Sequence, residues 1–219
     1  ESPLKYDKHL FAHRGNGQKP IMQFVNNEWE EAEFVTNDIE KNVADGKHYR
    51  DHMILSRSVY AARKIEAACI SKKIPYIVFG GTTLMRSAHV RDVVSALRIL
   101  ANFRDELAWI RYLMLWQGVG EVTASKIIEK MFSYASLGEC IDAVKSAKLR
   151  DHAAHELLQK ICTLEKRPDA AIDIIVSELD GIMARKHENW DARKKDFAAL
   201  KIVAKRAESI STFITEYIL

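Results

Sequence analysis

A Gly-x-Gly turn between two amphipathic stretches is the part of this sequence best suited to bind a ligand. Gly118, Val119 and Gly120 lie just before a stretch that carries Lys126 and Lys130 on one side. Glycine lets a backbone come close to a ligand, and a helix N-terminus presents unpaired N–H groups and a positive dipole. These groups suit a phosphate. The pattern therefore predicts a helix-hairpin-helix that binds the nucleic-acid backbone without recognising its base sequence.

The residues that follow the turn have helical spacing. Ala124, Ile127 and Ile128 fall on one face, and Lys126 and Lys130 fall on the other. Lysines in these turns would add positive charge near a bound phosphate. The alternative is a plain helical hairpin whose glycines serve only to cap and turn the chain. The residues alone leave both interpretations open.

A second candidate is the pair Arg57-Ser58, which we place at the C-terminal end of a predicted strand. Ligands of open α/β sheets bind beyond the carboxyl ends of the strands, and the arginine fork suits a phosphate. A structural ion pair of Arg57 is the alternative, and the sequence does not reject it.

Other kinds of active site are not indicated by the sequence. It contains no G-x-x-x-x-G-K-[ST] phosphate loop, no G-x-S-x-G elbow, no H-E-x-x-H and no cysteine pair at metal-binding spacing. Asp151, His152, His155 and Glu156 could lie near one helical face and bind a metal. We favour a solvated helix start for these four residues and predict no metal site.

Composition is that of an ordinary soluble globular protein. The 219 residues are 47% apolar and 29% charged, with a net charge of +3, which permits a nucleic-acid partner without demanding one. No apolar run predicts a membrane span, and there is no signal peptide. The three cysteines are predicted to be free thiols in a reducing cytosol. Because both ends look like cuts, we expect a fragment of a longer protein.

The hydrophobic pattern changes character along the chain. Predicted strands at 21–25, 52–58 and 74–81 alternate with predicted helices at 28–43 and 58–73, which is typical of a parallel α/β sheet. After Gly81 only helical spacing is found. The predicted helices there are 89–103, 105–116, 123–132, 137–147, 149–165, 170–185 and the stretch 190–218. We place a domain boundary near 81–87, which gives two domains, 1–83 and 84–219.

Several short motifs together resemble the C-terminal half of UvrD/PcrA/Rep-type superfamily 1 DNA helicases. The family pattern includes a strand ending in an arginine, "S-R-x-x-E", "I-P-Y-x-x-x-G-G", "K-D-x-x-x-x-L-R", "N-x-x-D" and "R-G-I-G". The matching residues are Leu55, Arg57, Ser58, Arg63, Glu66, Ile74, Pro75, Tyr76, Gly80, Gly81, Asp92, Leu97, Arg98, Asn102, Asp105, Gly118 and Gly120. The match covers residues 8–132, and 133–219 share only helical character.

The resemblance implies a layout and a function. Residues 1–83 would form part of the second RecA-like motor domain (2A), and 84–219 would form the inserted helical subdomain (2B). The parent would be an ATP-dependent 3′-to-5′ DNA helicase of repair or replication that uses ATP and Mg²⁺. Single-stranded DNA would be contacted by Arg57, Ser58 and Arg63, and duplex DNA by Gly118, Val119, Gly120, Thr123, Lys126 and Lys130. A cytoplasmic, nucleoid-associated location in a bacterial-type cell would follow.

Some residues depart from the family pattern. Val59 stands where the family has asparagine, and Gln117 stands where the family has the arginine that precedes the hairpin. The second change removes one positive charge from the turn. A different class of function also stays open, in which the helices form a protein-interaction or autoregulatory module that docks a repair or replication protein.

Overall fold

The structure, a computed structural model, describes residues 13, 15, 17–131, 133–147 and 153–218. Twelve α-helices, a 3₁₀ turn at Tyr49–Asp51 and a π-helical turn at Ile214–Ile218 make up its regular secondary structure. The α-helices are α1 Glu28–Ala44, α2 Val59–Ser71, α3 Ala88–Ala101, α4 Glu106–Leu113, α5 Glu121–Met131, α6 Leu137–Ser146, α7 Ala153–Cys162, α8 Pro168–Glu178, α9 Asp180–Lys186, α10 Trp190–Lys194, α11 Asp196–Ala204 and α12 Ile210–Phe213.

The predicted α/β sheet of the N-terminal third is wrong for the residues that the structure describes. No strand occurs among them, and the segments predicted as strands are irregular and form no ladder of backbone hydrogen bonds with one another. Several of their apolar side chains face solvent, with Phe24 83%, Leu55 88% and Phe79 88% exposed, whereas Ile74 is buried. A local pattern can favour extended backbone, but a strand exists only when a second segment supplies ladder hydrogen bonds.

Helix α3 lies at the centre of the larger hydrophobic core. Nine of its fourteen residues are buried, and it packs against α4, α8 and α12. A helix that is buried on most of its faces lies in the interior rather than at the surface. Buried residues of α5, α6, α7 and α11 belong to the same cluster. The helices of the C-terminal two thirds of the chain therefore share one core.

Helices α1 and α2 form a second, smaller core. Ala32 and Ile39 of α1 pack with Ile65 and Cys69 of α2 and with Ile74 of the segment that follows. The opposite side of α2 packs against α11, and Ala67 of α2 belongs to the larger core. Helix α2 therefore connects the two clusters, while the proposed domain division at 83/84 stays a prediction.

Side-chain caps explain where many helices begin. Asn27 Oδ1 accepts hydrogen bonds from the backbone N–H groups of Trp29 and Glu30 at 2.9 and 3.0 Å, which fixes the start of α1. Asp105 caps α4, and Ser209 caps α12 in the same way. The cap at Ser209 also breaks the helical stretch predicted at 190–218, which the structure divides into α10, α11, α12 and the π turn.

No helix in the described part of the chain combines the length and apolar character needed to cross a membrane.

Candidate nucleic-acid interface

The Gly-Val-Gly turn connects α4 to α5 through a short tight loop. After α4, the backbone N–H of Leu115 donates to Tyr112 O at 3.1 Å, and that of Val119 donates to Trp116 O at 3.2 Å. Gly118 adopts a φ of +82°, a left-handed conformation that favours glycine. The chain then reverses, and the backbone N–H of Ala124 donates to Gly120 O at 2.9 Å.

The three turn residues point in different directions. The side chain of Val119 is directed into the core and is only 8% exposed, whereas Gly118 and Gly120 are exposed. A Cβ added at Gly120 would meet no atom within 4 Å, so the space outside this backbone is open. Val119 therefore anchors the turn, while the glycine backbone on either side remains accessible.

Helix α5 has one buried face and one polar face. Ala124, Ile127, Ile128 and Met131 are buried, as the helical spacing predicts. The predicted contact residues Thr123, Lys126 and Lys130 are exposed, and Glu121 and Glu129 share the surface with them. The structure thus places the lysines on the solvent side of the helix that begins just after Gly120.

The N-terminus of α5 offers unpaired donors. The backbone N–H groups of the first turn of a helix have no partner inside the helix, and the described hydrogen bonds give those of Glu121, Val122 and Thr123 no other acceptor. These groups and the helix dipole favour an anion. The Glu121 carboxylate in the same turn offsets part of this positive potential.

Arg57 and Ser58 precede α2 rather than end a strand. Arg57 is exposed, and no ion pair of its guanidinium is found in the described part of the chain. The Ser58 hydroxyl accepts a hydrogen bond from the backbone N–H of Ala61 at 3.3 Å and so caps α2. The role of both residues in contacting single-stranded DNA stays a prediction.

Arg63, in contrast, is buried within a polar network. Its Nη1 donates to Glu66 Oε2 at 2.7 Å and to Thr82 O at 3.0 Å, and its Nη2 donates to Ser87 Oγ at 3.1 Å. Its Nε lies 3.3 Å from Asp196 Oδ2, an ion pair without the direction of a hydrogen bond. Direct contact of Arg63 with DNA stays a prediction, and it would require breaking these contacts.

Glu66 extends the network towards the Gly-Gly segment. Its Oε1 accepts hydrogen bonds from Tyr76 Oη at 2.9 Å and from the backbone N–H of Leu84 at 2.7 Å. Burial and then the Glu66 carboxylate raise the pKa of Tyr76 far above its usual value. Arg63 and Glu66 therefore fix the chain between Tyr76 and Ser87, where the helical part begins.

Two carboxylates of the core were not recognised as sites from the sequence. Asp196 and Asp92 are both buried, and each is surrounded by basic side chains that are distant in the sequence. For Asp92, the sequence offers only its match to the "K-D-x-x-x-x-L-R" motif. For Asp196, no pattern in the sequence indicates its partners.

The weak metal candidate falls partly outside the described residues, because Asp151 and His152 are not among them. His155 is buried, with Nε2 3.8 Å from Asp142 Oδ1, and Glu156 is exposed. Within the described ranges, no group of three or more His, Cys, Asp or Glu side chains is placed to hold a metal ion. Cys69, Cys140 and Cys162 are free thiols.

Comparison with known proteins identifies the class. Residues 2–218 match the UvrD-like helicase C-terminal domain family, and the chain belongs to that family. It is related to bacterial DNA helicases, as the resemblance in the motifs predicted.

Three relatives show the extent of the similarity. ATP-dependent DNA helicase Rep of Escherichia coli is 31% identical over 130 residues, which is 58% of this chain and 19% of Rep. ATP-dependent DNA helicase PcrA of Staphylococcus aureus is 32% identical over 121 residues, 55% of this chain and 17% of PcrA. A probable DNA helicase II homolog of Mycoplasma capricolum is 30% identical over 121 residues, again 55% and 17%. The matched region of this chain thus covers less than a fifth of the length of each relative.

Proposed function

We propose that this chain is part of an ATP-dependent 3′-to-5′ DNA helicase of repair or replication, and that its α4–α5 hairpin contacts the backbone of duplex DNA. One observation carries the proposal. The turn is anchored by buried Val119, while Gly120, the free N–H groups of α5 and the lysines at 126 and 130 share the exposed side. Membership of this family, and relatives that are DNA helicases, support DNA as the partner.

The proposed contact is weak and independent of base sequence. Backbone N–H groups and lysines engage phosphate, which carries no sequence information. Neutralising phosphates releases counterions, so affinity falls as salt rises. Gln117 contributes no charge to the turn, and Glu121 offsets part of the charge that Lys126 and Lys130 supply. We therefore expect binding that is measurable at low salt and lost near physiological salt.

ATP and Mg²⁺ belong to the parent protein in this proposal. The residues of this chain do not fit them, because the sequence contains no phosphate loop and the described residues form no cluster of metal ligands. We expect that the purified chain neither hydrolyses ATP nor unwinds DNA. DNA-stimulated ATP hydrolysis by the purified chain would contradict this part of the proposal.

The hairpin is tested by titrating a fluorescein-labelled 20-base-pair duplex with the chain at 20 mM salt and following anisotropy. The double variant Lys126→Glu with Lys130→Glu is expected to lower affinity at least tenfold. The matched control is Lys41→Glu with Lys166→Glu, which makes the same charge change at exposed lysines of α1 and of the loop before α8. Equal affinity of the two double variants would show that the hairpin is only structural and would favour a protein-docking role for the helices.

A further inference from the structure

The carboxylate of Asp92 holds two basic side chains next to each other at the protein surface. Arg111 Nη1 lies 2.7 Å from Asp92 Oδ1, and Lys186 Nζ lies 2.9 Å from Asp92 Oδ2. The two cations therefore bind the two oxygens of one carboxyl group and lie within a few ångströms of each other. The side chain of Asp92 is 1% exposed, whereas those of Arg111 and Lys186 are 31% and 42% exposed.

The arrangement carries more positive charge than the buried carboxylate requires. One cation is enough to pair with Asp92, and His187 Nε2 adds a further hydrogen bond at 3.0 Å. The arginine and lysine together leave a surplus of one positive charge at this place. A buried carboxylate with several donors keeps both cations in fixed positions, which reduces the entropy lost when they bind an anion.

Most of the donors on these two cations remain free. Arginine carries five N–H donors and lysine three, and the contacts of the described residues use one of each. Both side chains project from the last turns of their helices, α4 and α9. An anion with several oxygen acceptors can therefore bridge the outer sides of Arg111 and Lys186 without displacing Asp92.

We propose that Arg111 and Lys186, held by Asp92, form a second phosphate-binding site for the DNA backbone. This rests on the proposed function, because it takes the same duplex as partner. Arg111 lies in the last turn of α4, the helix that leads into the Gly118–Gly120 turn. We therefore take the duplex proposed for the turn as the ligand of this site as well.

The test uses two variants with the same change of charge. Lys186→Gln removes a cation of the site, and Lys194→Gln removes a nearby lysine that is equally exposed but pairs one to one with Asp180 at 2.6 Å. Anisotropy of the labelled duplex is measured between 20 and 150 mM salt. Lys186→Gln is expected to weaken binding threefold to tenfold at low salt and to reduce the slope of log affinity against log salt by about one. Lys194→Gln is expected to leave the slope unchanged, and equal slopes in the two variants would overturn the proposal.

A second measurement separates this site from the hairpin and from the stability of the fold. Arg111→Lys keeps a cation on Asp92 but loses the planar fork, so we expect a native circular dichroism spectrum and weaker duplex binding. In the Lys126→Glu, Lys130→Glu background, Lys186→Gln is expected to reduce the remaining affinity further. If the hairpin variant binds normally while Lys186→Gln does not, the hairpin proposal fails and this one stands.

The probe also distinguishes DNA from free phosphate. Inorganic phosphate is titrated into the labelled chain while the Nε–Hε resonance of Arg111 is followed by NMR. Saturable shifts in the millimolar range that Lys186→Gln abolishes are expected, together with tighter binding of the duplex. Phosphate binding without any effect of Lys186→Gln on duplex affinity would assign the site to a free anion and overturn its role in DNA binding.

Discussion

The carboxylate of Asp196 in α11 lies 3.3 Å from the guanidinium Nε of Arg63 in α2. The pair joins the N-terminal helices to the helical bundle, and both side chains are almost completely buried. His89 Nε2 lies 3.1 Å from the same carboxylate oxygen. This ion pair is the clearest link between the part of the chain expected to belong to a motor domain and the part expected to be inserted into it.

Asp196→Asn is expected to lower the free energy of unfolding by about 1–3 kcal/mol, because the buried Nε of Arg63 loses its neighbouring carboxylate while Nη1 keeps its pair with Glu66. Urea denaturation at pH 7 measures the change. The matched control is Asp173→Asn, which removes the exposed partner of Lys201 and is expected to cost less than about 1 kcal/mol. Equal losses in the two variants would show that the buried pair does not hold α2 against α11.

Gly118→Ala is expected to destabilise the chain by about 1–2 kcal/mol, because the φ of +82° is strained for any residue with a Cβ. Urea denaturation again measures the loss. A variant as stable as the wild type would mean that the turn adopts another conformation in solution.

Stability is expected to fall at alkaline pH because of a buried thiol. Burial, and then the Glu66 carboxylate, raise the pKa of Cys69 from 9.0 to about 11. Between these values the unfolded chain loses a proton that the folded chain keeps, so the free energy of unfolding decreases as pH rises from 9 to 11. Below pH 9 the thiol has no effect.

The variant Cys69→Ala tests whether the Cys69 thiol causes the loss of stability at alkaline pH. Urea denaturation from pH 7 to 10.5 is expected to show a shallower decrease in the variant, by up to about 1.4 kcal/mol per pH unit. Some decrease remains, because the pKa of Tyr76 is also raised in the folded chain. Identical pH profiles of variant and wild type would assign the alkaline loss to other groups.

The helices were largely predictable from the sequence because their signals are local. The spacing of apolar residues by three to four predicts a helix at 28–43, and α1 runs Glu28–Ala44. The burial of Ala124, Ile127 and Ile128 follows in the same way from the period of α5. The family was also predictable, since the motifs that carry it are short and contiguous.

The absence of strands from the described residues and the buried ion pairs were not predictable for one shared reason. A sheet depends on a second segment, and the apolar segments around Phe24, Leu55 and Phe79 have no partner among the described residues. The burial of Arg63 depends likewise on Asp196, which is distant in the sequence. Local spacing describes one segment at a time and contains no information on such partners.

The central claim is that the backbone at Gly120 contacts duplex DNA, and Gly120→Ala tests it most directly. The added methyl group meets no atom within 4 Å, and the residue has no positive φ. The free energy of unfolding, measured in urea, is therefore expected to stay within about 0.5 kcal/mol of that of the wild type. The methyl group would occupy the space that a phosphate must enter, so duplex affinity at 20 mM salt is expected to fall about tenfold, or about 1.4 kcal/mol. An equally stable variant that binds the duplex as tightly as the wild type would contradict the claim.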